Sequence, residues 1–191
     1  KSVALLAYLA MPRPGTWHRR DVLLATFWPE LSQSRARAAL RSALHLLRQR
    51  LDDDTIRTRG DDEVSVNPER IRTDVAAMLD DVAAGAHERA VARYAGALLP
   101  GLYISDAPEF ERWLERERTR LGDVVLRAAA ALAAEREAAG DLTGAIDAAR
   151  RASELSPDDE SAMRRWVALL DRVGDRAGAL AVFERFRARI S

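Results

Sequence analysis

The chain of 191 residues contains no cysteine, which excludes a disulfide framework and thiolate ligands for a metal ion. No apolar run reaches the roughly 18 residues that a membrane-spanning helix needs. Signatures of catalysis are also missing, because there is no glycine-rich phosphate loop and the three histidines (His18, His45 and His87) are scattered. We therefore expect no enzymatic activity, cofactor, metal site or membrane span.

The chain has no formal net charge, since it carries 30 basic and 30 acidic side chains. This balance argues against a protein that binds nucleic acid over its whole surface. The charges are unevenly distributed, however. Residues 1–51 contain nine basic and two acidic side chains, a net charge of +7, and no acidic residue occurs from Leu31 to Leu51. The beginning of the chain is therefore expected to carry a cationic surface.

Three helices are predicted at the start of the chain. The prolines of "MPRPGT" end the first helix, and Pro29 ends the second, which is predicted over residues 18–28. Ser32 or Ser34 can cap the third helix. The predicted buried positions are Leu5, Leu6 and Leu9 in the first helix, Val22, Leu23, Phe27 and Trp28 in the second, and Ala36, Leu40, Ala43, Leu44, Leu47 and Leu51 in the third.

The third helix also has a cationic face. Basic side chains recur at steps of three and four, which places them along one side of the helix: Arg37, Arg41, His45 and Arg48. The period then changes to two in "TIRTR" and "EVSVN", which are separated by "GDD". This alternation predicts a short β-hairpin after the basic helix.

From Thr73 onward the sequence predicts helices, interrupted only by the irregular stretch "LYISDAP". The segments "GDLTGAIDAA" and "GDRAGALAVF" begin at Gly140 and Gly174, an offset of 34 residues. That offset is the period of tetratricopeptide helix hairpins. "GAHERAVARY", which begins at Gly85, is interpreted as a further, divergent copy. The second part of the chain is therefore expected to be an all-α, tetratricopeptide-like domain.

The order helix, helix, basic helix and hairpin is that of a winged helix-turn-helix. The stretch "ARAALRSALHLLRQRL…TIRTRG" resembles the effector domain of OmpR-type response regulators, with Leu40, Leu44 and Arg48 in that family's register. Together with "HRRDVLLATFWPE" and "GLYISDAPEFERWLERERTRL", the chain resembles the SARP-type activators of antibiotic gene clusters. These combine such a winged helix with a bacterial transcriptional activator domain.

The resemblance implies a mainly α fold with a winged helix at residues 1–68 and the activator domain at 72–191. OmpR-type domains begin with a small sheet that this sequence lacks or that lies upstream. The implied DNA-binding residues are Ser34, Arg35, Arg37, Arg41, Ser42, His45, Arg48, Arg57 and Arg59. The implied partners are double-stranded DNA with direct repeats, RNA polymerase and a second copy of the chain. The implied location is the cytoplasm, at the nucleoid.

Simpler interpretations of the same residues remain open. The basic helix face could be merely solvated, and His45 could be an exposed polar residue without a partner. The acidic runs at 52–54 and 61–63 are expected to be turn residues rather than metal ligands, and the four tryptophans to pack in the core. The alternative function is a repeat-type interaction scaffold whose winged helix binds a protein.

Overall fold

The computed structural model describes residues 1–190. Within them lie nine α-helices and three short strands, so the predicted mainly α fold is confirmed. The strands are β1 (His18–Arg19), β2 (Ile56–Arg59) and β3 (Glu63–Val66). The helices are α1 (Ser2–Ala10), α2 (Arg20–Phe27), α3 (Gln33–Arg50), α4 (Asp74–Ala83), α5 (His87–Arg93), α6 (Pro108–Ala138), α7 (Leu142–Leu155), α8 (Glu160–Arg172) and α9 (Arg176–Ile190).

The chain forms two compact units, and neither is continuous in sequence. The first unit consists of Lys1–Asp80 and Gly96–Arg118. The second consists of Asp81–Ala95 and the chain from Thr119 onward. Packing therefore divides the chain differently from the predicted boundary between residues 68 and 72, because Gly96–Arg118 returns to the first unit.

The core of the first unit shows why that later segment returns. Phe27 of α2 is completely buried, and its ring lies 5.1 Å from the ring of Phe110 in α6, measured between centroids. Ile104, Ala107 and Leu114 join the same cluster as the apolar residues of α1, α2, α3 and β3. Burying a large apolar side chain contributes about 1.5–3 kcal/mol. Gly96–Arg118 thus supplies part of the core of the first unit, and Lys1–Asp80 supplies the rest.

The predicted hairpin is confirmed as the antiparallel pair β2 and β3, and β1 adds a third strand to it. The resulting strand order is β1-β3-β2, and His18 of β1 pairs with Val64 of β3. The prediction that the second helix begins at His18 is therefore wrong, since α2 begins at Arg20. The cause is the backbone pairing of His18 and Arg19 with β3. This pairing continues one residue past β1, because the amide of Arg20 donates to the carbonyl of Asp62 at 2.7 Å.

Two residues predicted to be buried are exposed. Val22 lies outside the buried side of α2, whose inward residues are Leu23, Thr26 and Phe27. A helix rotates by about 100° per residue, so the neighbour of a buried position can face solvent. Leu51 is exposed although its amide still donates to the carbonyl of Leu47, because it lies at the end of α3, outside the apolar cluster that contains Leu47.

The helix predicted from His87 toward Gly101 is shorter than expected. It ends at Arg93, and Leu99 and Gly101 adopt positive φ angles of 48° and 75°. The guanidinium of Arg118 donates to the carbonyls of Leu98 and Leu99, at 2.9 and 2.7 Å. These bonds satisfy carbonyls that a helix would have paired internally.

In the second unit, the 34-residue sequence repeat corresponds to a repeated helix start. Gly140 and Gly174 have positive φ angles of 79° and 82° after the preceding helix. The next residues, Asp141 and Asp175, each accept a hydrogen bond at 2.9 Å from a backbone amide three positions later. The small alanines that follow, Ala145 and Ala179, are both buried. The two copies thus share their local geometry.

The second glycine of each copy is explained by the capping aspartate. A Cβ atom on Gly144 would lie 2.2 Å from an Asp141 carboxylate oxygen, and one on Gly178 would lie 2.3 Å from an Asp175 oxygen. A side chain at either position would therefore require the capping carboxylate to shift. The divergent copy agrees with this coupling, because Ala86 replaces the aspartate and Arg89 replaces the glycine.

We expect Gly144→Ala to leave the stability of the second unit nearly unchanged, because the gain of about 1 kcal/mol from alanine over glycine in a helix is offset by displacement of the Asp141 cap, a loss of about 1 kcal/mol. The double variant Asp141→Ala/Gly144→Ala should be about 1 kcal/mol more stable than Asp141→Ala, since the cap is already absent there. Urea denaturation of the four proteins measures the coupling. Additive effects of the two substitutions would contradict this account.

Candidate nucleic-acid interface

One face of α3 is held in the core of the first unit. Ala36, Leu40, Ala43, Leu44 and Leu47 are buried there, as their spacing predicts. Phe27 and Trp28, which are also buried, fix the turn between α2 and α3. The side of α3 that faces solvent is therefore determined by the packing of its apolar side.

The exposed side carries most of the predicted cationic residues. Arg37, Arg41 and His45 are exposed, whereas Arg48 is only partly exposed. The Nη2 atom of Arg48 donates to the carbonyl oxygen of Ile56 at 3.4 Å, which links α3 to β2. Within residues 1–190, no carboxylate lies within ion-pairing distance of Arg37 or Arg41, so their charges face solvent unneutralised.

The first turn of α3 is open and free of acidic residues. Ser32 occupies the N-cap position, but its side chain makes no capping hydrogen bond, and its hydroxyl instead lies 3.4 Å from the hydroxyl of Ser34. Ser34 and Arg35 are exposed in this turn. Backbone amides at an uncapped helix N-terminus and the positive end of the helix dipole favour an anion.

The predicted residues of α3 do not all share one side. At about 100° per residue, Arg35 and Ser42 lie more than 90° around the helix from the row of Arg37, Arg41 and Arg48. Both are exposed. A flat surface therefore cannot contact all of these residues at once. A groove that surrounds α3 on two sides can contact all of them.

The two predicted wing arginines lie on β2 and already have acidic neighbours. Arg59 pairs with Glu63 at 3.2 Å, and its guanidinium carbon lies 4.3 Å from the ring centroid of Trp17. Arg57 lies 3.8 Å from Glu69. These contacts hold the arginines along the strand, and their exposed ion pairs contribute little stability.

A cleft of about 680 Å³ separates α2, α3 and the tip of the hairpin. It brings Arg37 and Arg41 together with residues that sequence reasoning did not assign to the site: Arg19, Arg20, Gln33, Asp21, Asp61 and Asp62. The pair of arginines in "HRRD" was a visible signal. The sequence pattern predicts these arginines in the first turn of the second helix, whereas in the structure Arg19 ends β1 and Arg20 begins α2.

Acidic residues neutralise part of the positive charge of this cleft. Arg19 makes two hydrogen bonds to the carboxylate of Asp21, at 3.1 and 2.7 Å, and these hold the pKa of Asp21 below its ordinary value. Asp21 is therefore ionised at neutral pH and neutralises Arg19. Because Asp61 and Asp62 lie at the hairpin tip, the unneutralised charge is concentrated on the α3 side.

No cluster of potential metal ligands occurs in the part of the chain that the structure describes. Nor is any helix of residues 1–190 long and apolar enough to cross a membrane.

We expect Arg48→Ala to lower the free energy of unfolding by about 1 kcal/mol, because it removes the hydrogen bond to the Ile56 carbonyl. Arg41→Ala should leave stability nearly unchanged, since its side chain is exposed and unpaired. Chemical denaturation of both variants tests this difference. Equal stability of the two variants would mean that Arg48 has no structural role.

The chain was also compared with known proteins. No curated protein matches its sequence. The family described as the bacterial transcriptional activator domain matches residues 66–191, and this match begins after α3 and most of the sheet. Since the match covers well over half of the chain, the protein belongs to the bacterial transcriptional activator domain family, which is a family of transcription regulators.

Proposed function

We propose that the protein is a sequence-specific DNA-binding activator of transcription. In this proposal α2, α3 and the β2–β3 hairpin act as a winged helix, and α3 enters the major groove. The observation that carries the proposal is the pair Arg37 and Arg41, which are exposed and unneutralised on a helix whose other face is buried. The family membership supports a role in transcription.

The residues of α3 divide into two roles in this proposal. Arg37 and Arg41 read base edges, because arginine can donate two hydrogen bonds to O6 and N7 of guanine. His45 lies beside them and contacts an adjacent base. Ser34, Arg35 and Ser42 meet phosphates on the walls of the groove, aided by the open N-terminus of the helix.

The remaining predicted residues support the complex less directly. Arg48 anchors α3 to β2 and presents the rest of its guanidinium to a phosphate. Arg57 and Arg59 exchange Glu69 and Glu63 for phosphate oxygens when DNA binds. The acidic hairpin tip keeps the wing outside the minor groove, since Asp61 and Asp62 repel the backbone there.

The helical second unit supplies contacts with protein in this proposal. It mediates self-association on promoter DNA with direct repeats, and it contacts RNA polymerase. These activities place the protein in the cytoplasm, at the nucleoid. The alternative is a scaffold whose first unit binds a protein instead of DNA. Absence of DNA binding in the following experiment would favour this alternative.

We expect Arg37→Ala and Arg41→Ala each to weaken binding to DNA selected from a random pool by a factor of about ten to one hundred, the value of one good base contact. Arg50→Ala is the matched control, because it removes the same charge from an exposed position on another side of α3. Gel-shift titration measures the affinities, and thermal melting checks that the variants are folded.

The same titration should show a strong dependence on salt. Four to six phosphate contacts correspond to a slope of roughly −4 to −5 for log affinity against log salt concentration.

If the parent protein binds no DNA, or if Arg50→Ala weakens binding as much as Arg41→Ala, the groove assignment of α3 is refuted.

A deletion of residues 140–191 tests the separate role of the second unit. It removes α7, α8 and α9 but keeps Ile104, Phe110 and Leu114, which the first unit needs for its core. We expect the shortened protein to bind a single DNA site within about threefold of the parent, because α3 and its phosphate contacts are unchanged. It should lose cooperative binding to two adjacent sites and activation in a reporter assay. Undiminished activation by the shortened protein would contradict this division of roles.

A further inference from the structure

The first residue of α3 lies in the cleft beside the two arginines that are proposed to read bases. Gln33 lines this cleft of about 680 Å³ together with Arg37 and Arg41. The three residues follow one another at steps of four, so each lies about one turn further along the same side of the helix. Gln33 thus extends the row of Arg37 and Arg41 toward the N-terminus of α3.

The amide group of Gln33 takes no part in the hydrogen bonding of the fold. Its side chain is exposed, and no group within residues 1–190 forms a hydrogen bond with it. It does not cap the helix, because Ser32 occupies the N-cap position and the hydroxyl of Ser32 lies beside that of Ser34. Both the donor and the acceptor of the Gln33 amide are therefore available to a ligand.

The opposite wall of the cleft is unfavourable for phosphate. Asp61 and Asp62 of the hairpin tip line it, and neither carboxylate makes an ion pair in the part of the chain that the structure describes. A phosphate in the cleft would face these carboxylates and be repelled, whereas the edge of a base carries no net charge. The amide of Gln33 therefore lies where a base is a better partner than the DNA backbone.

The position of Gln33 along α3 also suits contact with a base edge. In helix-turn-helix proteins, the N-terminal residues of the helix in the major groove contact base edges. Residues four apart are separated by about 6 Å along a helix, and base pairs by about 3.4 Å along DNA. In the proposed complex, Gln33 therefore meets a base pair roughly one or two steps beyond the one that Arg37 contacts.

We propose that Gln33 is a specificity-determining residue that reads an adenine roughly one or two base pairs from the guanine read by Arg37. The amide nitrogen of Gln33 donates to N7 of the adenine, and its amide oxygen accepts from the N6 amino group. Only adenine presents this donor and acceptor side by side in the major groove. The inference rests on the proposed function and deepens it, because it states which base the DNA carries at one further position.

Selection of DNA from a random pool tests this base preference on the full chain. We expect the parent to select adenine at one position beside its guanines. Gln33→Ala should lose the preference at that position alone and bind the parent's site about tenfold more weakly. Gln33→Arg should select guanine there instead, because a guanidinium donates to both N7 and O6. Gln49→Ala removes the same amide from an exposed position near the other end of α3, so this control should select the parent's site.

A change of one atom in the DNA tests the contact itself. The analogue 7-deazaadenine carries carbon in place of N7 and still pairs with thymine, so it removes only the acceptor for the Gln33 amide nitrogen. We expect it to weaken binding of the parent about fivefold, the value of one hydrogen bond, and to leave binding of Gln33→Ala unchanged. Gel-shift titration of the four combinations measures this coupling. The melting temperatures of the two proteins should agree, since Gln33 is exposed.

The outcomes separate this inference from the proposed function. If the parent selects a DNA site without adenine beside its guanines, or if Gln33→Ala keeps the parent's preference, Gln33 does not read a base, whereas DNA binding by α3 still stands. Equal weakening of the parent and of Gln33→Ala by 7-deazaadenine would also overturn the inference, because it would assign the adenine to another residue. If the parent binds no DNA, the inference fails together with the proposed function.

Discussion

The structure of the first unit depends on the burial of the apolar face of α3. Leu40, Leu44 and Leu47 lie in a core built from α1, α2, β3 and the beginning of α6. Since a helix cannot rotate without exposing these leucines, the cost of several kcal/mol fixes which side faces solvent. The orientation of Arg37 and Arg41 is a consequence of this packing. The candidate interface is thus positioned by residues that take no part in it.

Completion of that core links the two parts of the sequence. Phe110 and Leu114 belong to the segment matched by the activator family, yet they are fully buried in the first unit. Arg118 holds the incoming loop by two carbonyl hydrogen bonds. The boundary of the family match at residue 66 is therefore not a boundary of packing. A regulator built in this way cannot lose the segment without exposing the ring of Phe27.

In the second unit, a local chemical coupling is repeated. An aspartate caps the helix, and a glycine three residues later leaves room for the carboxylate. The positive-φ glycine before the aspartate ends the preceding helix. Because the same three residues recur after 34 positions, α7 and α9 begin in the same way. The surroundings of the two helices differ, because the buried alanines of α7 pack with Ala129 and Ala133 of α6, whereas the buried side of α9 packs against α8.

The sequence by itself determined the features that depend on neighbouring residues. These are the mainly α composition, the buried and cationic faces of α3, the β2–β3 hairpin and the repeat at Gly140 and Gly174, and each follows from periodicity or from turn chemistry. Tertiary structure alone decided that His18 pairs with Val64 as a strand, that the helix after His87 ends at Arg93, and that Phe110 belongs to the first unit. It also brought Arg19, Arg20 and the acidic hairpin tip beside Arg37 and Arg41. Local periodicity cannot specify these contacts, because each joins segments that are distant in the chain, and their stability comes from burial and backbone pairing that exist only after folding.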